Sequence, residues 1–260
     1  MLVYAAIVPH SPILIPEIGR DHVKKLKKTS VALGEIKKAL HASRAETILI
    51  ISPHGSIIPD AFTINLSETY TVSLQEFGNF RSETVYKTDH RAVDHMQRHL
   101  RNKTSFMLHS EESLDYGSSV PLILLADSKA RVVPVHTSLL DPKAHFQFGD
   151  YLKNEVMETN RRIAVIASAD FTYTPKDQGS ARAKKIMQLD KYIISCIESR
   201  NAPGLLQIDP ATVKLSKMCG FGPTLVLHGL LERINTIPKV LSYESALGVG
   251  CITATFPMPV

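Results

Sequence analysis

Four apolar runs of this 260-residue chain end in a side chain able to bind a metal or move a proton: AAIVPH at His10, ILIISPH at His54, VVPVH at His136 and AVIASAD at Asp170. In open α/β sheets, ligands collect beyond the carboxyl ends of the strands, so one shared sheet would bring these four to a common mouth. His10 and His54 stand in PHS and PHG. The proline stiffens the backbone before each imidazole and the small residue lets the chain turn after it, which holds a ligand side chain at small entropic cost. Taken singly, each reads as a loop histidine satisfied by a carbonyl; the repeated context turns the pair toward metal ligation.

Glu244 lies in LSYESALGVG, where an apolar strand presents a carboxylate just before a glycine-containing turn. Two imidazoles and one carboxylate form the facial set of non-haem Fe(II), and the same set holds Zn(II) for hydrolysis. On residue type alone, Glu244 is equally a solvent-facing strand residue. His22, His41, His90, His95, His99 and His145 sit in polar or helical surroundings and read as surface residues. His228, on an apolar helix, reads as core. Cys219 precedes GFGP at a helix start, where the dipole would lower a thiol pKa, but a buried, inert cysteine is the preferred reading.

The elements that would carry these residues alternate. Runs rich in β-branched residues at the start (LVYAAIV) and at 46–52, 130–136, 161–168 and 239–244 lie between stretches of helical periodicity at 21–42, 88–102, 181–199 and 222–235, with a shorter apolar helix at 116–126. This pattern predicts one α/β domain over residues 1–260, a central mixed, mostly parallel sheet flanked by helices. Residues 60–74 alternate like an antiparallel hairpin, and 76–88 read as a polar surface excursion bordering the site.

The formal charge of +5 comes largely from helical lysines such as Lys24, Lys25, Lys27 and Lys28, without interleaved aromatics, so a solvated face is expected and no nucleic-acid surface. No apolar stretch is long enough to span a bilayer, and MLVYAAIVPHSP reads as a first strand with no signal-peptide features. Cys196, Cys219 and Cys251 form no C-x-x-C pair, which implies a reducing, cytoplasmic setting.

Six segments in order, IVPHSPILIPEIG at 7–19, IISPHG at 50–55, LDYGSSVPLILL at 114–125, ASADFTYT at 167–174, MCGFGPTLVLHGLLE at 218–232 and LSYESALGVGCITATF at 241–256, resemble the LigB superfamily. This comprises the catalytic subunits of class III extradiol ring-cleavage dioxygenases and their MEMO-type relatives. The resemblance implies a LigB-like fold, Fe(II) held by His10, His54 and Glu244, and a catechol-like substrate cleaved with O2 beside the diol. It also implies a homo-oligomer.

Two departures stand out. The family's acid/base histidine is matched by Tyr173, and a second histidine, before the glycine of LDYGSS, by Tyr116. A phenol is a poor base at neutral pH. His136 and Asp170 then join Tyr173 as expected catalytic groups, and Tyr116, His109 and Ser11 are the expected substrate contacts. Two rival functions follow: a non-redox, MEMO-like binding protein that keeps the metal pocket, and a Zn(II) hydrolase.

Overall fold

The computed structural model describes residues 1–173, 180–245 and 247–258. Among the described residues ten strands run β1 (Leu2–Val8), β2 (Thr47–Ser52), β3 (Phe62–Asn65), β4 (Thr69–Leu74), β5 (Asn79–Thr88), β6 (Phe106–His109), β7 (Arg131–His136), β8 (Ile163–Ser168), β9 (Lys239–Glu244) and β10 (Cys251–Phe256). The α-helices among the described residues are α1 (Pro16–Gly19), α2 (Lys27–Ala42), α3 (His90–Leu100), α4 (Tyr116–Leu125), α5 (Pro142–Glu158), α6 (Ser180–Glu198), α7 (Ala202–Leu206), α8 (Pro210–Ser216) and α9 (Phe221–Leu230).

All ten strands belong to one mixed sheet in the order β4-β5-β7-β2-β8-β1-β10-β9, with β3 pairing β7 and β6. The centre, β7-β2-β8-β1, is parallel, and β10 closes one side antiparallel to β1. The central strands TILIIS and IAVIAS are buried along their whole length, as parallel strands covered on both faces must be. Their side chains still divide by period two. Leu49 and Ile51 of β2, with Val165 and Ala167 of β8, pack into a core with α3, α5, α6 and α9. Ile48 and Ile50, with Ala164 and Ile166, face a second core under α2 and α4.

On the first face the helices approach closely. A Cβ on Gly149 of α5 would lie 1.9 Å from the Val226 carbonyl oxygen, and one on Gly229 of α9 would lie 1.9 Å from that of Phe146. These glycines let α5 and α9 touch backbone to backbone, which fixes α9 and the turn before it. Phe62 and Phe148 stack beneath, with ring centroids 4.0 Å apart, an arrangement contributing roughly 0.5–1.5 kcal/mol beyond area burial.

Three expectations are corrected. Residues 60–74 form two strands that do not pair with each other: β3 joins β6 and β7, and β4 joins β5. The predicted excursion at 76–88 is mostly β5, where Tyr86 is fully buried and Lys87 and Thr88 pair with β7. The helix predicted over 21–42 begins as a 3-10 turn at Arg20–Leu26, and regular α2 starts only at Lys27. Helix α5 was not foreseen. Among the described residues no helix is long and apolar enough to cross a membrane.

Candidate metal centre

The four parallel strands end side by side, and their terminal residues meet. After β1, Pro9 ends the ladder and His10 turns inward until only 1% of it is exposed. The His10 N–H donates to Asp170 Oδ1 at 3.0 Å, and its Nδ1 lies 2.9 Å from Ser168 Oγ. The Ser168 hydroxyl gives its own proton to the Gly117 carbonyl, so toward His10 it acts as acceptor and holds the imidazole proton on Nδ1. That leaves the His10 Nε2 lone pair toward His54 and Cys219, the tautomer a metal ligand needs.

His54 Nε2 lies 3.1 Å from His10 Nε2, and Cys219 Sγ lies 3.4 Å from the same nitrogen. Around a tetrahedral ion with metal–nitrogen bonds near 2.05 Å and a metal–sulfur bond near 2.3 Å, ligand atoms sit about 3.3 Å (N to N) and about 3.6 Å (N to S) apart. The observed spacings are within a few tenths of an ångström of these. His10, His54 and Cys219 therefore form a group able to hold one ion, with ligand atoms all within 4.8 Å of one another.

The electrostatics suit ligation. Burial first, then the adjacent His10, pushes His54 down to about 4 over an upward pull from Asp115, so its imidazole is neutral at pH 7. Burial and the Asp170 charge push the Cys219 thiol up to about 12. The helix-start dipole that would lower it is outweighed by desolvation. A divalent cation would supply the missing positive charge and expel the thiol proton. Asp170 ties the halves together: its carboxylate fixes His10, while its carbonyl accepts the Gly220 N–H at 2.8 Å, directly after Cys219.

Tyr116 opens α4, and its hydroxyl lies 2.9 Å from His54 Nε2, the ring stacked on His54 at 4.3 Å. Burial and the nearby Cys219 and acidic groups push this phenol far above its ordinary range, so it serves as a hydrogen-bond donor and not as a base. The following Gly117 is required: a Cβ there would lie 2.5 Å from Ser52 Oγ and 3.0 Å from His54 Cδ2, displacing the imidazole.

A second network stands behind His54. Asp115 caps α4 by accepting the Ser118 N–H, receives the Ser52 hydroxyl at 2.6 Å and lies 3.3 Å from His136 Nε2. Burial alone would raise the Asp115 pKa, but His136 together with the Ser52 and Ser118 hydroxyls outweighs it and holds the carboxyl well below the usual range. His136 Nδ1 in turn lies 3.2 Å from His109 Nε2. Burial, then His136, lowers His109 below its ordinary value. Gly55, at φ 85°, turns the chain over this pair, where a Cβ would lie 2.9 Å from His136 Nε2.

Not every expected site residue joins the cluster. The Glu244 backbone lies at the same sheet end, opposite Cys251, but its Oε2 accepts both the N–H and the hydroxyl of Thr29, each at 2.8 Å. Its carboxylate serves the first turn of α2, whose orphan N–H groups need an acceptor. Among the described residues, Cys219 is the third member of the clustered group. Tyr173 is 38% exposed, with its N–H bonded to the Ser216 carbonyl and Lys217 over its ring. Thr174, last of the ASADFTYT segment, lies outside the described residues. Ser11 is buried beside His10, its carbonyl closing the turn at Leu14. His145, read from sequence as a surface residue, is buried against Phe62.

A cavity of about 630 Å³ adjoins the cluster, with Cys219 and Pro53 in its lining beside Leu140, Val213, Met218 and Leu225. His145 and Lys214 are its ionisable groups apart from Cys219.

The model of the catalytic LigB subunit of aromatic ring-opening dioxygenase matches residues 4–256, and the chain belongs to this family. It is 26% identical over 257 residues to Protein CA_C1420 of Clostridium acetobutylicum, an alignment covering 94% of this chain and 55% of that one. It is 29% identical over 137 residues to the MEMO1 family protein MJ0403 of Methanocaldococcus jannaschii, covering 52% of this chain and 44% of that protein. The chain thus spans about half the length of these curated relatives. Its fold is shared with an uncharacterized protein, JW3007, of Escherichia coli K12, at a TM-score of 0.63 and 13% identity, over 97% of this chain and 99% of that one.

Proposed function

We propose that this chain is a metal-centred, small-molecule-binding protein of the MEMO type within the LigB family. The observation that carries the reading is the sulfur: His10, His54 and Cys219 converge where a ring-opening dioxygenase of the expected kind would present two imidazoles and a carboxylate. Two nitrogens and a thiolate are a softer donor set than the facial triad and suit Zn(II) as well as iron. A bound divalent ion would supply Lewis acidity and an open coordination position for a ligand oxygen. The chain's own residues do the rest. Ser168 and Asp170 hold His10 in the ligating tautomer and position, Tyr116 donates a hydrogen bond beside the metal, and the apolar cavity past Cys219 takes the body of a small ligand while excluding water. The MEMO1 naming of several relatives supports this choice.

One arrangement favours a second reading, extradiol-type cleavage of a catechol-like ring with O2. His136, backed by Asp115 and followed by His109, offers an imidazole relay that the tyrosines at 116 and 173 do not. In that reading Tyr173 and Asp170 join His136 as catalytic groups, Tyr116, His109 and Ser11 contact the substrate, and Glu244 leaves Thr29 to join the metal.

Metal analysis after native purification, followed by titration with a catechol panel under argon and then air, separates the two. The first reading expects metal-dependent binding without O2 uptake. Stoichiometric O2 consumption with a ring-opened product would overturn it in favour of the second.

A further inference from the structure

A second group of ligand-type side chains lies on the other side of the molecule's larger core, away from the strand ends. His95 and His99 stand at i and i+4 on α3, so their rings share one face of that helix, with centroids 4.6 Å apart. Facing them from α5 is Glu155, a carboxylate whose side chain is 2% exposed. His95 Nδ1 lies 2.8 Å and His99 Nδ1 3.0 Å from the same oxygen, Glu155 Oε2. The three form a group whose ligand atoms lie within 4.8 Å of one another.

Ion pairing alone explains this poorly. Neither contact has hydrogen-bonding geometry, and both His95 Nδ1 and Glu155 Oε2 are buried polar atoms without a hydrogen-bond partner. His99 Nδ1 points instead at the His95 main-chain oxygen, 2.9 Å away. A buried carboxylate oxygen left unsatisfied costs free energy that a shared cation would recover. Two imidazoles 34% and 46% exposed leave an entry from solvent and room for a water as further ligand.

We infer that His95, His99 and Glu155 form a second divalent-cation site, of two nitrogens and one carboxylate oxygen, that takes Zn(II) or a similar borderline ion. Loading opens the 2.8 and 3.0 Å contacts by a few tenths of an ångström and moves the His99 ring proton through water from Nδ1, where it meets the His95 main-chain oxygen, to the exposed Nε2, so that Nδ1 presents its lone pair. The site clamps α3 to α5. Because α5 touches α9 at Gly149 and Gly229, and α9 begins directly after the Cys219–Gly220 turn, the clamp braces the element that carries the sulfur of the central site. The inference is independent of which function the central site performs.

The test is equilibrium dialysis of the full chain against Zn(II), with metal analysis of the wild type and of His95→Gln/His99→Gln. Both substitutions are at partly exposed positions and leave Glu155 in place. The double variant is expected to hold one equivalent fewer than the wild type, whatever the wild-type total. A parallel titration of the wild type, followed by the ring-nitrogen NMR signals of His95 and His99, keeps the question decidable if the variant does not fold; both signals are expected to shift as zinc is added. Equal zinc contents in wild type and variant, or ring signals unmoved at saturating zinc, would overturn the proposal.

Discussion

The residues that matter most do so through two hydrogen bonds each. Ser168 has no chemistry of its own, yet by giving its proton to Gly117 it forces the proton of His10 onto Nδ1. Ser168→Ala removes that constraint, and metal affinity is expected to fall about 10–100-fold in competition with a chromogenic chelator, the usual effect of deleting a partner of a ligating histidine. Glu244 makes the opposite prediction. Its oxygen holds the Thr29 N–H and hydroxyl at the start of α2, so Glu244→Ala is expected to cost about 1–2 kcal/mol in urea unfolding while metal content stays unchanged.

Among the elements, the sheet centre was legible and its margins were not. Buried parallel strands write themselves as apolar runs, so β1, β2, β7 and β8 and the residues that end them could be read directly, including the meeting of His10, His54, His136 and Asp170 at one mouth. The pairing of β3 with β6, 44 residues onward, leaves no local mark, and alternation over 60–74 looked like a hairpin for that reason. Asp115 carried a readable signal, a capping aspartate three residues before Ser118, and Cys219 could be placed at a helix start, whereas the role of Ser168 and the approach of Cys219 to His10 carried none, because both depend on what β8 and α9 lie against. The α5–α9 crossing gives this scale its own prediction. Gly149→Ala places a methyl where the Val226 carbonyl stands, and a loss of roughly 1–3 kcal/mol is expected in the urea midpoint at constant slope.

The molecule as a whole should respond to acid through its buried imidazoles. Burial, then the charge of Arg200, pushes His228 down to about 4, and His54 is pushed equally low by burial and His10. Unfolding releases both to about 6.5, so between about pH 6.5 and pH 4 the unfolded chain binds more protons than the folded one. Their neutral burial is therefore tolerated in full above that window, and stability falls as pH drops through it. Urea midpoints at pH 7.5, 6 and 5 should decline in order, and His228→Leu should flatten the decline.

In the proposed metal centre sulfur, not carboxylate, completes the ligand set with two imidazoles. X-ray absorption at the edge of the bound metal measures this directly. A shell containing one sulfur at about 2.3 Å beside imidazole nitrogens near 2.0–2.1 Å, lost in Cys219→Ala, is the predicted result. A shell of nitrogen and oxygen alone, unchanged in Cys219→Ala and altered in Glu244→Ala, would contradict the account.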